Sequence, residues 1–146
     1  WNFEEAFRQA QNQYPGRFAA HIMYSPNLST AIYGGADLFL MPSISEPCGL
    51  SQMIAMRYGT IPVVRETGGL KDSVVPYNKF TGEGTGFSFA NINAHEMAGV
   101  LYEAVSLYHN DKKAWKGLQK NAMSTDFSWN RSAKAYEEIY GWITGK

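Results

Sequence analysis

Short apolar runs alternate with helical stretches along this sequence, and this alternation constrains the fold more than any other feature. The run "DLFLMPS" (Asp37–Ser43) stays apolar until its end, and "TIPVV" (Thr60–Val64) and "GFSFA" (Gly86–Ala90) follow it. Apolar runs without polar alternation are typical of strands that helices bury on both faces. Because parallel neighbours need a crossover helix, the pattern predicts an α/β fold with a Rossmann-like, doubly wound parallel sheet and flanking helices.

The segments around these runs predict further elements with recognisable ends. Helical spacing of apolar residues begins near the start of the chain and stops at Pro15–Gly16. Alternation then predicts a strand at Arg17–Met23, "RFAAHIM", and another helix follows Pro26. A helix is predicted at Gly49–Tyr58, closed by Gly59 in a left-handed conformation. The buried stripe of this helix is predicted to consist of Leu50, Met53, Ile54 and Arg57.

The rest of the chain is predicted to be a loop, a last strand and then helices alone. Glycines and a proline make Arg65–Glu83 loop-like. Asn93 followed by Glu96 resembles a capping box at a helix start, and Ser128 is the predicted cap of the final helix. We therefore expect one domain in two parts, an α/β part over residues 1–92 and C-terminal helices over residues 93–146.

Charge and cysteine content exclude several classes of function. Thirteen basic residues balance thirteen acidic ones, so no net field favours nucleic acid or an anionic membrane surface. No apolar run approaches the length of a membrane span. The single cysteine, Cys48, cannot form an intramolecular disulfide, which predicts a reducing, cytoplasmic compartment. The three histidines do not have the spacing of a zinc site, and we predict no bound metal.

The loops after the strands are where an open α/β sheet binds its ligand. They are Tyr24–Asn27, Pro42–Gly49 and Arg65–Leu70. Glu46 lies in the second, before a helix whose free N–H groups suit a phosphate, and a carboxylate there can bind hydroxyl groups. The third loop contains Gly68 and Gly69, whose backbone can approach an anion closely. Together these loops suggest a ligand in which a sugar is joined to a phosphate.

Each of these features also has an ordinary structural explanation. A Gly-Gly pair is often only a turn, and a glutamate before proline is often a solvated loop residue. Cys48 is by default a small buried side chain, because free cysteine is among the most buried residue types. Tyr24 could stack on a nucleotide base, and it could equally be an aromatic residue at the edge of the core.

The segment "ADLFLMPSISEPCGLSQMIAMRYGTIPVVRETGGLKDSV", with the later "GTGFSF" and "DFSWNRSAKAYEEIY", resembles the C-terminal domain of bacterial glycogen synthases and plant starch synthases. The resemblance covers nearly the whole chain. It implies part of the nucleotide-sugar-binding C-terminal domain of a GT-B glycosyltransferase. Enzymes of this family transfer glucose, with retention and without a metal ion or cofactor, from ADP-glucose or UDP-glucose to the non-reducing end of an α-1,4-glucan.

The resemblance also implies roles for individual residues. Glu46 matches the active-site glutamate that holds the hydroxyl groups of the donor glucose. Tyr24 falls where the family places an aromatic residue against the nucleotide base. The other implied donor-binding residues form the turn at the helix start and the second glycine loop, namely Pro47, Cys48, Gly49, Leu50, Thr67, Gly68 and Gly69.

Two departures from the family pattern qualify these expectations. Many retaining GT-B enzymes have a second glutamate eight positions after the first, for the ribose, and this chain has Ile54 there. The family's Arg and Lys that neutralise the donor diphosphate would lie upstream of Trp1, as would the acceptor-binding N-terminal domain. We therefore expect a fragment that is inactive alone. Its acceptor glucan would bind through the missing domain.

Two other functions remain open at this stage. One is a related retaining transferase with another acceptor, such as a sucrose synthase or a trehalose-forming enzyme. The other is a non-catalytic module that binds a nucleotide or a glucan. The location expected is the cytoplasm, or a plastid for a plant protein.

The order of strands in a doubly wound sheet adds an expectation about assembly. In that order the first two strands lie in the middle of the sheet, so a chain without them leaves a gap beside Asp37–Ser43. Unpaired strand edges pair readily with other strands. We expect the strand at Arg17–Met23 to pair directly with Asp37–Ser43, or a homodimer whose partner strands fill the gap.

Overall fold

The structure, a computed structural model, describes residues 2–145 and divides into two compact units, the first ending at Thr30 and the second beginning at Ala31. The residues in this range form seven helices and three strands. Each strand is followed by a helix, and after the last strand there are only helices. In chain order they are α1 (Asn2–Gln13), α2 (Pro26–Gly35), β1 (Leu38–Met41), α3 (Ser51–Tyr58), β2 (Ile61–Arg65), α4 (Gly68–Ser73), β3 (Phe87–Phe89), α5 (Ala94–Asn110), α6 (Lys112–Ser124) and α7 (Trp129–Thr144).

The first unit contains α1 and an irregular segment in place of one predicted strand. The Phe7 and Phe18 rings stack with their centroids 6.1 Å apart. The prediction of a strand at Arg17–Met23 is wrong, because no residue in this range has strand structure. Strands are held by pairing with neighbours, and here the Ala20 N–H donates instead to Gln11 Oε1 at 2.7 Å.

The second unit is built on a parallel sheet of three strands in the order β1-β2-β3. Leu38 lies opposite Ile61, and Val63 lies opposite Phe87. This confirms the predicted α/β class with a parallel sheet. Of the two alternatives expected for the free edge of β1, direct pairing with Arg17–Met23 is wrong, because among the described residues β1 pairs only with β2. The other alternative, a homodimer, stays a prediction.

The central position of β2 determines where the core lies. Residues 61–64 of β2 are buried, whereas Leu40 of β1 is 39% exposed because β1 is an edge strand. The expectation that β1 and β2 are each buried on both faces is therefore confirmed for β2 and wrong for β1. Helices α3, α5 and α6 pack around β2 and β3. The core formed in this way includes Met56, Ile61, Val63, Leu70, Phe87, Trp115 and Leu118.

Helix α3 presents a different face to the core from the one predicted. Its buried residues are Gln52, Ala55 and Met56, while Ile54 is 40% exposed. The sequence of α3 carries apolar residues on both faces, so apolar spacing alone could not identify the buried one. The predicted stripe of Leu50, Met53, Ile54 and Arg57 instead lines a cavity of about 590 Å³ beside residues 122–128. Gly59 ends the helix at φ 80°, as predicted.

Other local predictions have mixed outcomes. The Asn93 side chain accepts a hydrogen bond of 2.7 Å from the Glu96 N–H, which confirms the predicted cap of α5. Ser128 is the N-cap residue of α7, but its side chain makes no capping hydrogen bond. The loop predicted at Arg65–Glu83 contains the short helix α4. Within the described range, no helix has the length and apolar character needed to span a bilayer.

Candidate functional site

Two loops predicted to bind a ligand are in direct contact after the carboxyl ends of β1 and β2. The Gly69 N–H donates to the Pro47 carbonyl oxygen at 3.2 Å. A Cβ on Gly68 would overlap the Glu46 carbonyl oxygen, and a Cβ on Gly69 would lie 2.7 Å from Cys48 Cα. The two glycines are therefore needed because the two backbones approach closely here, and this packing joins the Glu46 turn to the start of α4.

Arg65, the last residue of β2, holds the chain that leads from β1 to Glu46. Its Nε donates to the Ser43 carbonyl at 2.7 Å, and its Nη2 donates to the Ile44 carbonyl. Its Nη1 donates to the Ala90 carbonyl at 3.5 Å. No motif in the sequence indicated this role for Arg65. The only signal was a cation at the end of a buried strand.

Glu46 lies in the turn after β1 and is half-buried, outside the hydrophobic core. Its carbonyl oxygen lies beside Gly68. The side-chain hydrogen bonds found among residues 2–145 do not involve its carboxylate. An ionised carboxylate has several acceptor positions, so Glu46 can accept hydrogen bonds from hydroxyl groups of a ligand.

Cys48 is exposed, so the default expectation of a buried cysteine is wrong. Its Sγ lies 3.7 Å from the Gly49 carbonyl oxygen, a weak contact. The exposed position leaves Cys48 able to touch a ligand.

A cavity of about 690 Å³ borders the contact between the two loops and the start of α7. Four of the residues predicted to bind the donor line it: Pro47, Cys48, Leu50 and Gly69. Glu46, Gly49, Thr67 and Gly68 are not among its lining residues. The charged side chains of Asp72, Asp126 and Arg131 also line it, together with uncharged polar residues that include Gln52 and Ser73.

Asp126 is held in its charged form at this cavity. The Ser128 backbone N–H donates to Asp126 Oδ1 at 2.8 Å. This hydrogen bond, together with the Ser128 side chain and the charges of Arg131 and Lys134, lowers the pKa of Asp126 below its ordinary value. Arg131 in turn donates to the Asp126 carbonyl oxygen at 3.0 Å, which fixes the segment before α7.

The remaining predicted site residues lie in different settings. Gly49 has a φ of 73°, a left-handed conformation that favours glycine. Thr67 is the N-cap residue of α4 in an extended conformation, and its side chain makes no cap hydrogen bond. Leu50 is 65% exposed. Tyr24 belongs to the first unit, where it is 93% exposed.

A larger cavity, of about 820 Å³, lies elsewhere in the second unit. It is formed by the segment at residues 76–80 and by α5, and Tyr77, Phe80 and Tyr102 contribute aromatic surface. None of the site residues predicted from the sequence lines this cavity, so we place the candidate site at the contacting loops. In residues 2–145 no group of three His, Cys, Asp or Glu side chains could hold a metal ion.

The sequence of this chain is similar to those of known proteins. The sequence profile of the family described as Glycosyl transferases group 1 matches residues 17–122. The glycogen synthase of Lachnospira eligens is 55% identical over 138 residues, which are 94% of this chain and 29% of that protein. The glycogen synthase of Acholeplasma laidlawii is 52% identical over 144 residues, which are 99% of this chain and 30% of that protein.

A solved structure agrees with the sequence comparisons. The catalytic domain of starch synthase IV from Arabidopsis thaliana, bound to ADP and acarbose, superposes with a TM-score of 0.79 and 40% identity over 97% of this chain. The chain spans about 30% of the length of these relatives. Its α/β fold matches the GT-B glycosyltransferase fold, as the sequence predicted. The chain belongs to the glycosyl transferases group 1 family.

Proposed function

We propose that this chain is the donor-binding part of a glycogen or starch synthase. The reaction is transfer of glucose from ADP-glucose or UDP-glucose to the non-reducing end of an α-1,4-glucan, with retention of configuration. The observation that carries the proposal is the contact of the Glu46–Cys48 backbone with Gly68 and Gly69, in a chain 55% identical to a glycogen synthase. This contact supports a single site made of both loops.

In this proposal the Glu46 carboxylate binds hydroxyl groups of the donor glucose and orients the sugar for transfer. The turn Pro47–Leu50 precedes α3, whose first N–H groups have no partner within the helix and suit the donor phosphates. Thr67–Gly69 approaches the diphosphate or the glucose from the second loop. Tyr24 stacks on the nucleotide base.

No metal or cofactor takes part in the proposed reaction, so the negative charge of the leaving diphosphate must be balanced by protein cations. Such electrostatic stabilisation is usually the largest single contribution to catalysis. The relatives are about three times as long as this chain, and we propose that the cations and the glucan-binding surface lie in their remaining part. By itself the chain would bind nucleotide without turnover.

Two experiments test this function. The first exchanges the matching 144 residues of the Acholeplasma laidlawii glycogen synthase for this chain and measures glucan elongation with ADP-glucose and UDP-glucose. The second measures binding of ADP, UDP and maltooligosaccharide to this chain by calorimetry. We expect elongation by the hybrid and nucleotide binding by the chain.

The alternatives give different results. A folded hybrid that binds nucleotide but does not elongate glucan would indicate a non-catalytic module. Binding of maltooligosaccharide alone would indicate a carbohydrate-binding module. Formation of sucrose from fructose and the nucleotide sugar, without glucan elongation, would indicate a sucrose synthase.

We also propose that the isolated chain forms a homodimer in the cytoplasm. The support for dimerisation is the edge strand β1, which among the described residues pairs on one side only and includes the 39% exposed Leu40. Unpaired edges of this kind favour strand addition. Sedimentation at micromolar concentration is the test, and a monomer across that range would contradict the dimer.

A further inference from the structure

A buried amide on α3 connects the two loops of the candidate site. Gln52 is fully buried, although glutamine is mostly found at protein surfaces. Its Nε2 donates to the Gly49 carbonyl at 2.9 Å and to the Cys48 carbonyl at 3.3 Å. Ser73 Oγ, 21 residues along the chain, lies 3.0 Å from the same nitrogen, so the two N–H groups of Nε2 are shared among three acceptors. One side chain thus contacts the Glu46 turn and the end of α4.

Ser73 continues this connection to the second glycine loop. Its Oγ donates to the Gly69 carbonyl oxygen at 2.6 Å. The Gly69 N–H then donates to the Pro47 carbonyl oxygen at 3.2 Å. The hydrogen bonds therefore form a closed circuit that runs from the turn at residues 47–49 through Gln52, Ser73 and Gly69 back to the same turn. We call this set the amide circuit.

Apart from the hydrogen bonds of its Nε2, the buried Gln52 side chain destabilises the folded state. Its Oε1 is buried and has no hydrogen-bond partner, and a buried acceptor without a partner destabilises the folded state. Exchanging the oxygen and nitrogen of the amide would not help, because the oxygen would then face two carbonyl oxygens. A methionine of similar volume would fill the same space without an unpaired oxygen. The hydrogen bonds donated by Nε2 are therefore the favourable contribution that glutamine makes here and methionine could not.

We propose that Gln52 is a positioning residue that sets the geometry of the Glu46 turn relative to Thr67–Gly69. The proposal rests on the proposed function, because it takes these two loops as the donor site. Gln52 acts through the Cys48 and Gly49 carbonyl groups and, by way of Ser73, through Gly69. With the circuit intact, the two loops are held in the arrangement that binds the nucleotide diphosphate.

Three substitutions distinguish the effect of the hydrogen bonds in the amide circuit from the effect of side-chain packing. Gln52→Met fills the buried space and removes both donors. Ser73→Ala removes the hydroxyl group that links Gln52 to Gly69, whereas Ser73→Thr retains a hydroxyl group. If Gln52→Met does not fold, the Ser73 pair still tests the same circuit.

The first measurement is hydrogen exchange of the Gly69 amide, whose bond to Pro47 closes the circuit. We expect exchange to become about tenfold faster in Gln52→Met and Ser73→Ala, the effect of weakening about one hydrogen bond. Ser73→Thr should exchange at the wild-type rate. The Gly59 amide, bonded to Ala55 and Met56 at the other end of α3, is the matched control and should not change.

The second measurement is ADP affinity by calorimetry on the same variants. We expect the Kd for ADP to rise about tenfold in Gln52→Met and Ser73→Ala and to stay at the wild-type value in Ser73→Thr. A purely structural role would lower the melting temperature and leave the Kd of the folded protein unchanged.

The outcomes separate this proposal from the proposed function. An unchanged Gly69 exchange rate in Gln52→Met, or faster exchange with unchanged ADP affinity, overturns the positioning role. A wild-type chain without ADP affinity would count against the proposed function, and the Gly69 exchange rate would still decide whether Gln52 couples the two loops.

Discussion

At the scale of the residue, Glu46 and Cys48 are neighbours in one turn with different expected roles. In the hybrid synthase, Glu46→Ala should reduce kcat by about a hundredfold or more, because the carboxylate orients the reacting sugar. Cys48→Ser should mainly raise the KM for the donor, because a small polar side chain next to a phosphate contributes to binding more than to chemistry.

Steady-state kinetics with ADP-glucose measures both effects. Glu103→Ala, which removes a carboxylate from the separate cavity beside α5, is the matched control and should leave both constants unchanged. A Cys48→Ser variant as inactive as Glu46→Ala would mean that the two roles are reversed.

At the scale of the element, the contact between the Glu46 turn and the start of α4 depends on glycine. In Gly69→Ala the new methyl group would lie 2.7 Å from Cys48 Cα, so the two backbones must separate. Overpacking of this kind costs about 1–3 kcal/mol, and ADP affinity should fall as well. Calorimetric unfolding and ADP titration measure these two changes.

A helical glycine provides the control for that substitution. Nothing lies within 4 Å of a Cβ placed on Gly117 in α6, so Gly117→Ala should stabilise the protein by about 0.5–1 kcal/mol. ADP affinity should not change. A Gly69→Ala variant as stable as the wild type, with unchanged ADP affinity, would show that the close approach of the two loops is unimportant.

The start of α5 should contribute a pH-dependent part of stability. Glu96 accepts hydrogen bonds from the Ala90 N–H at 2.7 Å and the Asn91 N–H at 3.2 Å. The Ala90 bond is the largest cause of a lowered pKa for Glu96. A carboxyl group with a lowered pKa stabilises the fold above its unfolded pKa, about 4.3. This stabilisation is lost as the pH falls from there through the lowered value.

Thermal unfolding between pH 6 and pH 3 measures this contribution. The melting temperature of Glu96→Gln should depend less on pH over the acid part of this range than that of the wild type. Identical pH profiles for the two proteins would contradict the prediction.

At the scale of the whole molecule, the core of the second unit joins α3 and α6 to the sheet. Leu118 of α6 is fully buried, and Leu118→Ala should destabilise the protein by about 2–5 kcal/mol. Met123, near the end of the same helix, is 46% exposed, and Met123→Ala should cost less than about 1 kcal/mol. Urea unfolding compares the two variants, and equal losses would contradict the assigned core.

Features that depend on local sequence or on simple periodicity were predictable. The strand predicted at residues 60–64 and found at Ile61–Arg65, the left-handed Gly59 and the Asn93 cap each follow from a few neighbouring residues. The placement of the Glu46 turn and Gly68–Gly69 at one edge of the sheet was also predictable, because loops that follow neighbouring parallel strands leave the sheet at the same edge. Their close backbone contact was found only in the structure.

Tertiary structure decided the features that depend on partners distant in sequence. The spacing at Arg17–Met23 suits a strand, but in the described residues no strand pairs with it. Helix α3 has apolar residues on two faces, and only contact with β2 and α6 selects the face with Met56. Arg65 and Gln52 gained their roles from hydrogen bonds across about 20 residues. Local sequence therefore determined most of the helices and strands, while long-range pairing and burial decided whether Arg17–Met23 forms a strand and which faces and polar groups meet.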